Sequence, residues 1–487
     1  MISLLNNILP ILPILILIIS IIIIFFISFF DNKTSLGAIV VISAILLSIF
    51  SVLCSKHLLL HYFSEFIRLD QHAYRWILML LISSLCTCLF SCSWLTYDDT
   101  AAIEFYFFIL LATIGGILVA ISFHFFTLFL GLELLFLPVL GILSFFSKLE
   151  KNLFSVMIYT ILSIFSSALL LLGFSFVYFA TGRLCFSFLS YFFLYYPSIM
   201  MGNILLLGIC IIFLSLFFKL SLFPLHTWSP DIYQNSSSCS LIFFSTVTKL
   251  SIFSFLIHIF NYFPYINKIY PLFLILNIVS LFSVIFGNIA AIMQDNIQRL
   301  IGYTSISNLG FLLIILLNSS CKDYALVSQH IYIYLISYTL GLIGFFGIKS
   351  IVDFNTLANL NSNIAGNSFT GLFRRDCILG AALTIILLSL SGFPVTFGFW
   401  GKFFIFKYLM QKKYFLLTAL IMVSSMIGMQ SYLRIMFSLY NKPIDENTKL
   451  TINNNYFIYR LQKLLIICIS LILIILGFFP NFIHVLI

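Results

Sequence analysis

The chain has 487 residues, 62% of them hydrophobic and 8% charged, with a formal net charge of +9. So small a charged fraction excludes an ordinary soluble domain and places the chain among polytopic membrane proteins. The basic residues are scattered through short loops and form no stripe with interleaved aromatics, which argues against nucleic acid as a partner and leaves lipid as the surroundings.

An apolar run of about 20 residues is needed to cross roughly 30 Å of hydrocarbon. Residues 8–30 supply the first and read as a span, not as a removable signal peptide; no Arg-rich transit peptide is evident. Further spans fall near 36–54, 76–95, 104–122, 124–144, 153–178, 203–222, 239–260, 271–293, 299–317, 325–348, 377–409, 414–439 and 461–479. About fourteen helices are therefore expected, in one all-α transmembrane domain over residues 1–487. The ten cysteines lie mostly inside apolar runs and read as packing residues, with no zinc, haem or iron–sulfur spacing. Lys and Arg are spread too evenly over alternate loops to assign orientation. Residues 351–376, with Asp353, Arg374, Arg375 and Asp376, and residues 441–456 read as solvated connections.

Within this apolar background a few polar residues stand out. Glu133, in Leu130 to Pro138 (LGLELLFLP), is the one carboxylate expected well inside a hydrophobic segment. Lys219 and Lys249 each sit deep in an apolar run, where a lysine costs about 2.5–3.5 kcal/mol on insertion scales and normally lines a polar interior. Pro224 follows Lys219 by five residues, so the seventh helix is expected to break or kink. In the twelfth element, Gly392 and Pro394 interrupt the run and Lys402 follows, a reversed order that suits an inverted-topology repeat. A static Glu133–lysine ion pair is the competing reading, and Lys402 could instead snorkel beside Trp400. His226 is equally suited to proton relay and to a structural hydrogen bond; Tyr303, Ser305, Ser307 and Asn308 favour interhelical hydrogen bonding over water-holding. Arg434 reads as a cap or a snorkelling side chain, His124 and His330 as packing residues, and Asp231 as a helix-start residue. Lys407, Lys412 and Lys413 form an interfacial cluster. Walker A, G-x-G-x-x-G and H-E-x-x-H patterns are missing, so no cofactor or metal is expected on this chain.

Several long motifs in order carry a resemblance: LGLELLFLP, then Phe218 to Tyr233 (FKLSLFPLHTWSPDIY), Ser245 to Phe253 (STVTKLSIF), Gln298 to Leu313 (QRLIGYTSISNLGFLL), Ser389 to Phe406 around Lys402, and Ser431 to Ile435 (SYLRI). Across about residues 105–440 the chain resembles the antiporter-like subunit 2 family of the proton-pumping NADH:ubiquinone oxidoreductase, respiratory complex I, in its mitochondrial type. The resemblance implies two inverted five-helix repeats in helices 4–13, about 104–439, with helices 7 and 12 interrupted. It also implies a proton-carrying axis of Glu133, Lys219, Lys249 and Lys402, with His226, Tyr303 and Ser305 secondary. NADH, FMN, iron–sulfur clusters and ubiquinone would belong to partner subunits, among them neighbouring antiporter-like and small membrane-arm subunits. The setting implied is the mitochondrial inner membrane, which the high Phe and Ile content also suits. Gln234-Asn235, Ser237-Ser238-Cys239 and Val395 depart from the family's pattern and bear on the seven-to-eight loop and the twelfth-helix break. A Mrp-type cation/proton antiporter subunit, a hydrogenase-linked relative and a purely structural scaffold are the alternatives.

Overall fold

The structure, a computed structural model, describes residues 10–29, 33–55, 61–62, 65–95, 102–145, 150–188, 199–262, 270–319, 323–358, 369–441 and 456–479. Helices α1 (Leu12–Ile27), α2 (Lys33–Ser55), α3 (Gln71–Leu95), α4 (Ala102–Ile121), α5 (Phe125–Ser144), α6 (Glu150–Thr181) and α7 (Ile199–Leu220) match the first seven expected spans. After the short α8 (Trp228–Asn235) come α9 (Ser238–Tyr262), α10 (Tyr270–Ile292), α11 (Ile297–Leu317) and α12 (Tyr324–Ala358). The chain continues through a single turn, α13 (Leu372–Arg375), and the halves α14 (Cys377–Ser391) and α15 (Phe397–Gln411) to α16 (Phe415–Tyr440) and α17 (Tyr456–Phe478). Among the described residues 12 helices are long and apolar enough to cross a membrane; the other two expected spans are the shorter α1 and the divided α14–α15. The expected 441–456 loop lies almost wholly outside the described residues. The 351–376 connection needs correcting, because α12 continues to Ala358 and carries Asp353 one turn beyond Lys349, whose charge attracts it. A Lys–Asp pair at i and i+4 supports another turn of helix where hydropathy alone sees a loop.

The chain packs as two compact units, Met1–Leu220 with Phe243–Phe273, and Ser221–Ile242 with Leu274–Ile487. In the first, α4 and α5 approach closely because each presents a glycine. A Cβ on Gly115 would strike the Leu134–Leu135 backbone, and one on Gly131 would lie 2.9 Å from the Val119 nitrogen. A small antiparallel ribbon pairs His61–Tyr62 with Arg68–Leu69, and isolated bridges join Ile67 to Ser122 and His124 to Cys185. It is tied to the α4–α5 connection: Phe123 N–H donates to the Phe66 carbonyl at 3.0 Å, and the Thr127 hydroxyl donates to the same oxygen at 3.1 Å. Helix α6 turns Phe154, Met157, Ile161 and Phe165 outward, as a lipid-facing helix does.

In the second unit α11 and α12 are core helices, 94% and 89% buried over their apolar windows, against 33% for α16. Asp376 organises the start of α14. Its carboxylate accepts from the Ile378 and Leu379 N–H groups, from Lys463 Nζ at 2.6 Å and from Tyr459 Oη at 3.2 Å. One side chain thus caps α14 and fastens α17 to it.

Both expected interruptions are present, but each begins before its proline. Helix α7 stops at Leu220, four residues before Pro224, whose own peptide bond is cis. The reason is local: residue 224 would donate to the Leu220 carbonyl in a continuing helix, and proline has no N–H. The next residue, Ser221, takes φ +59°, a left-handed C-terminal conformation. Helix α14 ends in the same way at Ser391, with Gly392 at φ +78° and the Phe393 N–H returning to the Leu388 carbonyl at 3.0 Å. A Cβ on Gly392 would also come within 2.7 Å of Lys402 Cδ, so this glycine supplies both the conformation and the room for the lysine stem.

Two opposite outcomes follow for these turn residues. Gly392→Ala should destabilise the protein by about 1–2 kcal/mol, since an L side chain is penalised in the left-handed region, with the Lys402 collision adding to the loss. Ser221→Gly should stay within about 1 kcal/mol of the parent, because relief of that strain offsets the greater freedom of glycine in the unfolded chain. Thermal unfolding of the protein extracted in detergent checks both; an unchanged midpoint for Gly392→Ala would show that the left-handed turn is dispensable.

Candidate functional site

Glu133 lies on α5 three residues before Phe136, so both face the same side of the helix. Opposite them, on the last turn of α7, Lys219 points its ammonium at both. Nζ is 3.7 Å from Glu133 Oε1, an ion-pair distance longer than a direct hydrogen bond, and 4.5 Å from the centre of the Phe136 ring. The two partners differ in setting: the Lys219 side chain is 2% exposed and that of Glu133 is 28% exposed. Glu133 thus lies within the apolar run of α5, with its side chain only partly buried. It stands part-way to the surface, in front of a buried ammonium. It is not alone among carboxylates within apolar helices, since Asp353 occupies the end of α12.

Lys249 sits at the middle of α9 and is 1% exposed. Its ammonium donates to the Leu220 carbonyl at 3.0 Å, at the end of α7, and lies 5.6 Å from the Phe244 ring. That carbonyl is the one Pro224 cannot serve. The lysine thus meets the negative end of a helix dipole, a position worth about 0.3–1 kcal/mol for an exposed cation and up to about 2 in partly buried sites. The second unit repeats the device. Lys402, on the first turns of α15, donates to the Ser391 carbonyl at 2.9 Å, at the end of α14, and lies 5.8 Å from the Phe311 ring. It turns into the break and does not snorkel beside Trp400, whose indole N–H instead donates to the Gly477 carbonyl at 2.7 Å.

Each lysine accordingly has a partner, Glu133 for one and a helix-terminal carbonyl for the other two. This gives the static reading more support than sequence alone allowed, since no lysine is stranded. Each unit nevertheless holds lysine side chains within apolar helices, and Lys249 and Lys402 rest on neutral acceptors that survive loss of the proton.

Of the secondary residues, His226 is 5% exposed within the break after α7, against Phe223, Phe286 and, at 6.4 Å between ring centres, Tyr303. Pro224 and Pro394 are exposed in their loops. Ser305 is buried on α11, donates to the Gly302 carbonyl at 2.6 Å and also meets the hydroxyl ends of Tyr233 and Tyr338 on other helices; Ser307 reaches Thr304 within α11, and Asn308 bridges helices by accepting from Tyr334 Oη at 2.9 Å. Around it lies a tyrosine group absent from the sequence reading: Tyr334 and Tyr338 stack on α12, and Tyr432 stands beside Thr304 and Asn308. Tyrosines at i and i+4 in the eleventh apolar run were the available signal.

The remaining candidates are structural. Arg434 donates to the Ile292 carbonyl at 3.0 Å and to the Gln294 carbonyl, capping α10. His124 Nδ1 accepts from the Phe126 N–H at 3.0 Å at the start of α5, and burial pushes its pKa below the ordinary value, consistent with a neutral ring. His330 stacks on Phe404, Asp231 pairs with Arg299 at 3.3 Å in the first turn of α8, and Lys412 pairs with Asp323. Among the described residues no three His, Cys, Asp or Glu side chains converge as metal ligands.

The family described as "NADH:quinone oxidoreductase/Mrp antiporter, TM" matches residues 122–428, a stretch that includes Glu133, Lys219, Lys249 and Lys402. The chain is 37% identical over 447 residues to NADH-quinone oxidoreductase subunit N of Buchnera aphidicola subsp. Acyrthosiphon pisum, covering 90% of each chain. The same subunit of Buchnera aphidicola subsp. Schizaphis graminum is 35% identical over 444 residues, again with 90% coverage of each. Its fold is similar to a chain of respiratory complex I from Thermus thermophilus, with TM-score 0.77 and 23% identity over 96% of this chain and 97% of that one. It is similar also to a chain of the Mrp complex from Dietzia sp. DQ12-45-1b, with TM-score 0.81 and 14% identity over 99% and 96%. The fold is thus common to both kinds of assembly, while the higher sequence identities fall on subunit N. From the matched family and these relatives, the chain is a member of the NADH:quinone oxidoreductase/Mrp antiporter transmembrane family.

Proposed function

We propose that this chain is a proton-translocating membrane-arm subunit of an NADH:quinone oxidoreductase, with Glu133, Lys219, Lys249 and Lys402 as its proton-carrying groups. The observation that carries the reading is the seating of Lys249 and Lys402 on the terminal carbonyls of interrupted helices. A carbonyl accepts a hydrogen bond from an ammonium but cannot neutralise it or take its proton. Such a lysine is held in place by a neutral acceptor that stays put when the proton leaves. Glu133, half-way to the surface, controls Lys219 through a single ion pair; neutralising the carboxylate removes the charge that favours the ammonium. Coulombic coupling from one group to the next then transmits charge without a large movement of helices. The matched C-terminal turns at Ser221 and Gly392 support the inverted-repeat arrangement of helices 4–13.

Quinone reduction and its cofactors, NADH, FMN and iron–sulfur clusters, would reside in partner subunits, and the neighbours would be other antiporter-like and small membrane subunits. A quinone-linked subunit is favoured over a Mrp antiporter by the relatives at 37% and 35% identity. The Phe and Ile content supports a gene of an AT-rich genome. The mitochondrial inner membrane is one such setting, and a bacterial membrane like that of the relatives is the other; fractionation of source cells decides between them.

Glu133→Gln should leave the complex assembled while lowering coupled NADH oxidation and proton pumping together, by roughly a hundredfold, the low end of what loss of a proton-transferring group costs. Proteoliposomes with equal complex content give the measurement, and parental pumping would remove Glu133 from the pathway. Lys249→Met gives up the bond to the Leu220 carbonyl, at about 1–3 kcal/mol for an unsatisfied buried acceptor, but also relieves the burial of a charge. Assembly should therefore survive and pumping should fall. Lys249→Arg should rescue pumping only in part, because a guanidinium keeps its proton at any working pH. A scaffold would tolerate all three substitutions, so parental rates throughout would establish the static reading.

A further inference from the structure

A second group of titratable side chains gathers at the end of the first unit where α3 begins, α4 ends, α5 begins and α9 ends. Arg68 Nε donates to Asp70 Oδ1 at 2.7 Å, and Arg75 Nη2 lies 2.6 Å from His72 Nδ1. Behind them is His258, on the last turns of α9. The residue is only 8% exposed, and Nε2 is buried with no hydrogen-bond partner among the described residues. The charged or titratable groups that act on its ring are Asp70, His72 and Arg68. Exposure grades outward from it: Arg68 and Asp70 side chains are 20% and 14% exposed, and His72 is half-buried. An imidazole nitrogen left unpaired beneath a carboxylate and a second histidine is costly as packing, and it is well placed to pass a proton.

The face of α9 that carries His258 continues inward as hydroxyls. Ser254, Ser251 and Thr248 precede it by four, seven and ten residues, spacings that keep all four on one side of the helix. All three are buried, at 0%, 0% and 1% exposure. Each donates to a carbonyl of its own helix, Ser254 to Ser251 at 2.6 Å, Ser251 to Thr248 at 2.9 Å, and Thr248 to Phe244. Their oxygen lone pairs remain as acceptors for water. The row spans about 15 Å at the rise of an α-helix and ends at Thr248, which precedes Lys249 in the chain.

We propose that His258, with Asp70 and His72, forms a proton port joining bulk water to Lys249 through the Thr248–Ser251–Ser254 hydroxyl row. This rests on the proton-carrying role assigned to Lys249. The proton enters or leaves at His258 Nε2, and the ring regains neutrality by exchange with water at the Asp70 end.

The test uses the assembled complex in proteoliposomes, comparing the parent with His258→Ala, His258→Gln and Lys249→Met. His258→Ala should slow proton pumping several-fold, increasingly so as pH rises and protons become scarce, and added imidazole should restore much of the rate by occupying the vacated ring site. If His258→Ala does not assemble, His258→Gln should assemble and show the same pH-dependent loss. A parental rate, or a loss that is equal at every pH and untouched by imidazole, overturns the port. Parental pumping by Lys249→Met would overturn the underlying role of Lys249 whatever His258 does. Loss in Lys249→Met alongside a normal His258→Ala would overturn the port alone.

Discussion

The bond from a lysine ammonium to the last carbonyl of an interrupted helix is the contact on which the interior of this protein depends. Hydrocarbon offers no donor to an opened backbone, so a helix can stop at membrane depth only if protein groups or trapped water serve its exposed carbonyls. Lys249 and Lys402 do this for Leu220 and Ser391. The relation is mutual, because the helix end supplies negative potential that helps a buried ammonium exist. Removing either member leaves the other badly placed, so each break and its lysine form a single structural unit. Lys219 is different. Its partner is a full charge on a neighbouring helix, and an aromatic ring covers the other side.

Much of this was legible in the amino-acid order. Apolar runs located every span, because in a membrane chain length and hydropathy act over the same 20-residue scale. The three lysines and Glu133 were conspicuous for the opposite reason, as charges that hydrocarbon penalises. The prolines marked the interruptions only approximately: Pro224 leaves the carbonyl four residues earlier unserved and α7 ends there, while α14 ends three residues before Pro394 at the left-handed Gly392. The acceptors of Lys249 and Lys402 could not be read, because a backbone carbonyl is the same in every residue. Asp353 was misplaced because hydropathy falls at a helix end before the helix does. Tyr334, Tyr338 and Tyr432 gain their significance only in three dimensions, where their hydroxyl ends face Asn308, Ser305 and Thr304 of α11. His258 was overlooked because its significance lies in Asp70 and His72, nearly two hundred residues away in sequence.

Glycine performs two separate tasks in placing these groups. At Gly115 and Gly131 the lack of a side chain lets α4 and α5 touch along their backbones, which fixes the helix carrying Glu133. At Gly392 it permits a left-handed turn and leaves a lane for the Lys402 stem. Ser221 makes the equivalent turn without that freedom. The two interruptions therefore share a form while differing in how easily each is made.

Helix α14 is secured at both extremities, by Asp376 with Lys463 and Tyr459 at its start and by Lys402 at its finish. At 15 residues it is about 22 Å long, too short to cross the hydrocarbon and too short to bend appreciably. A short rod pinned in this way transmits axial displacement with little loss. Any shift of the Asp376 anchor against α17 would arrive at the Ser391 carbonyl as a shift of the seat beneath Lys402, giving the edge of the membrane a mechanical hold on a charge in its interior.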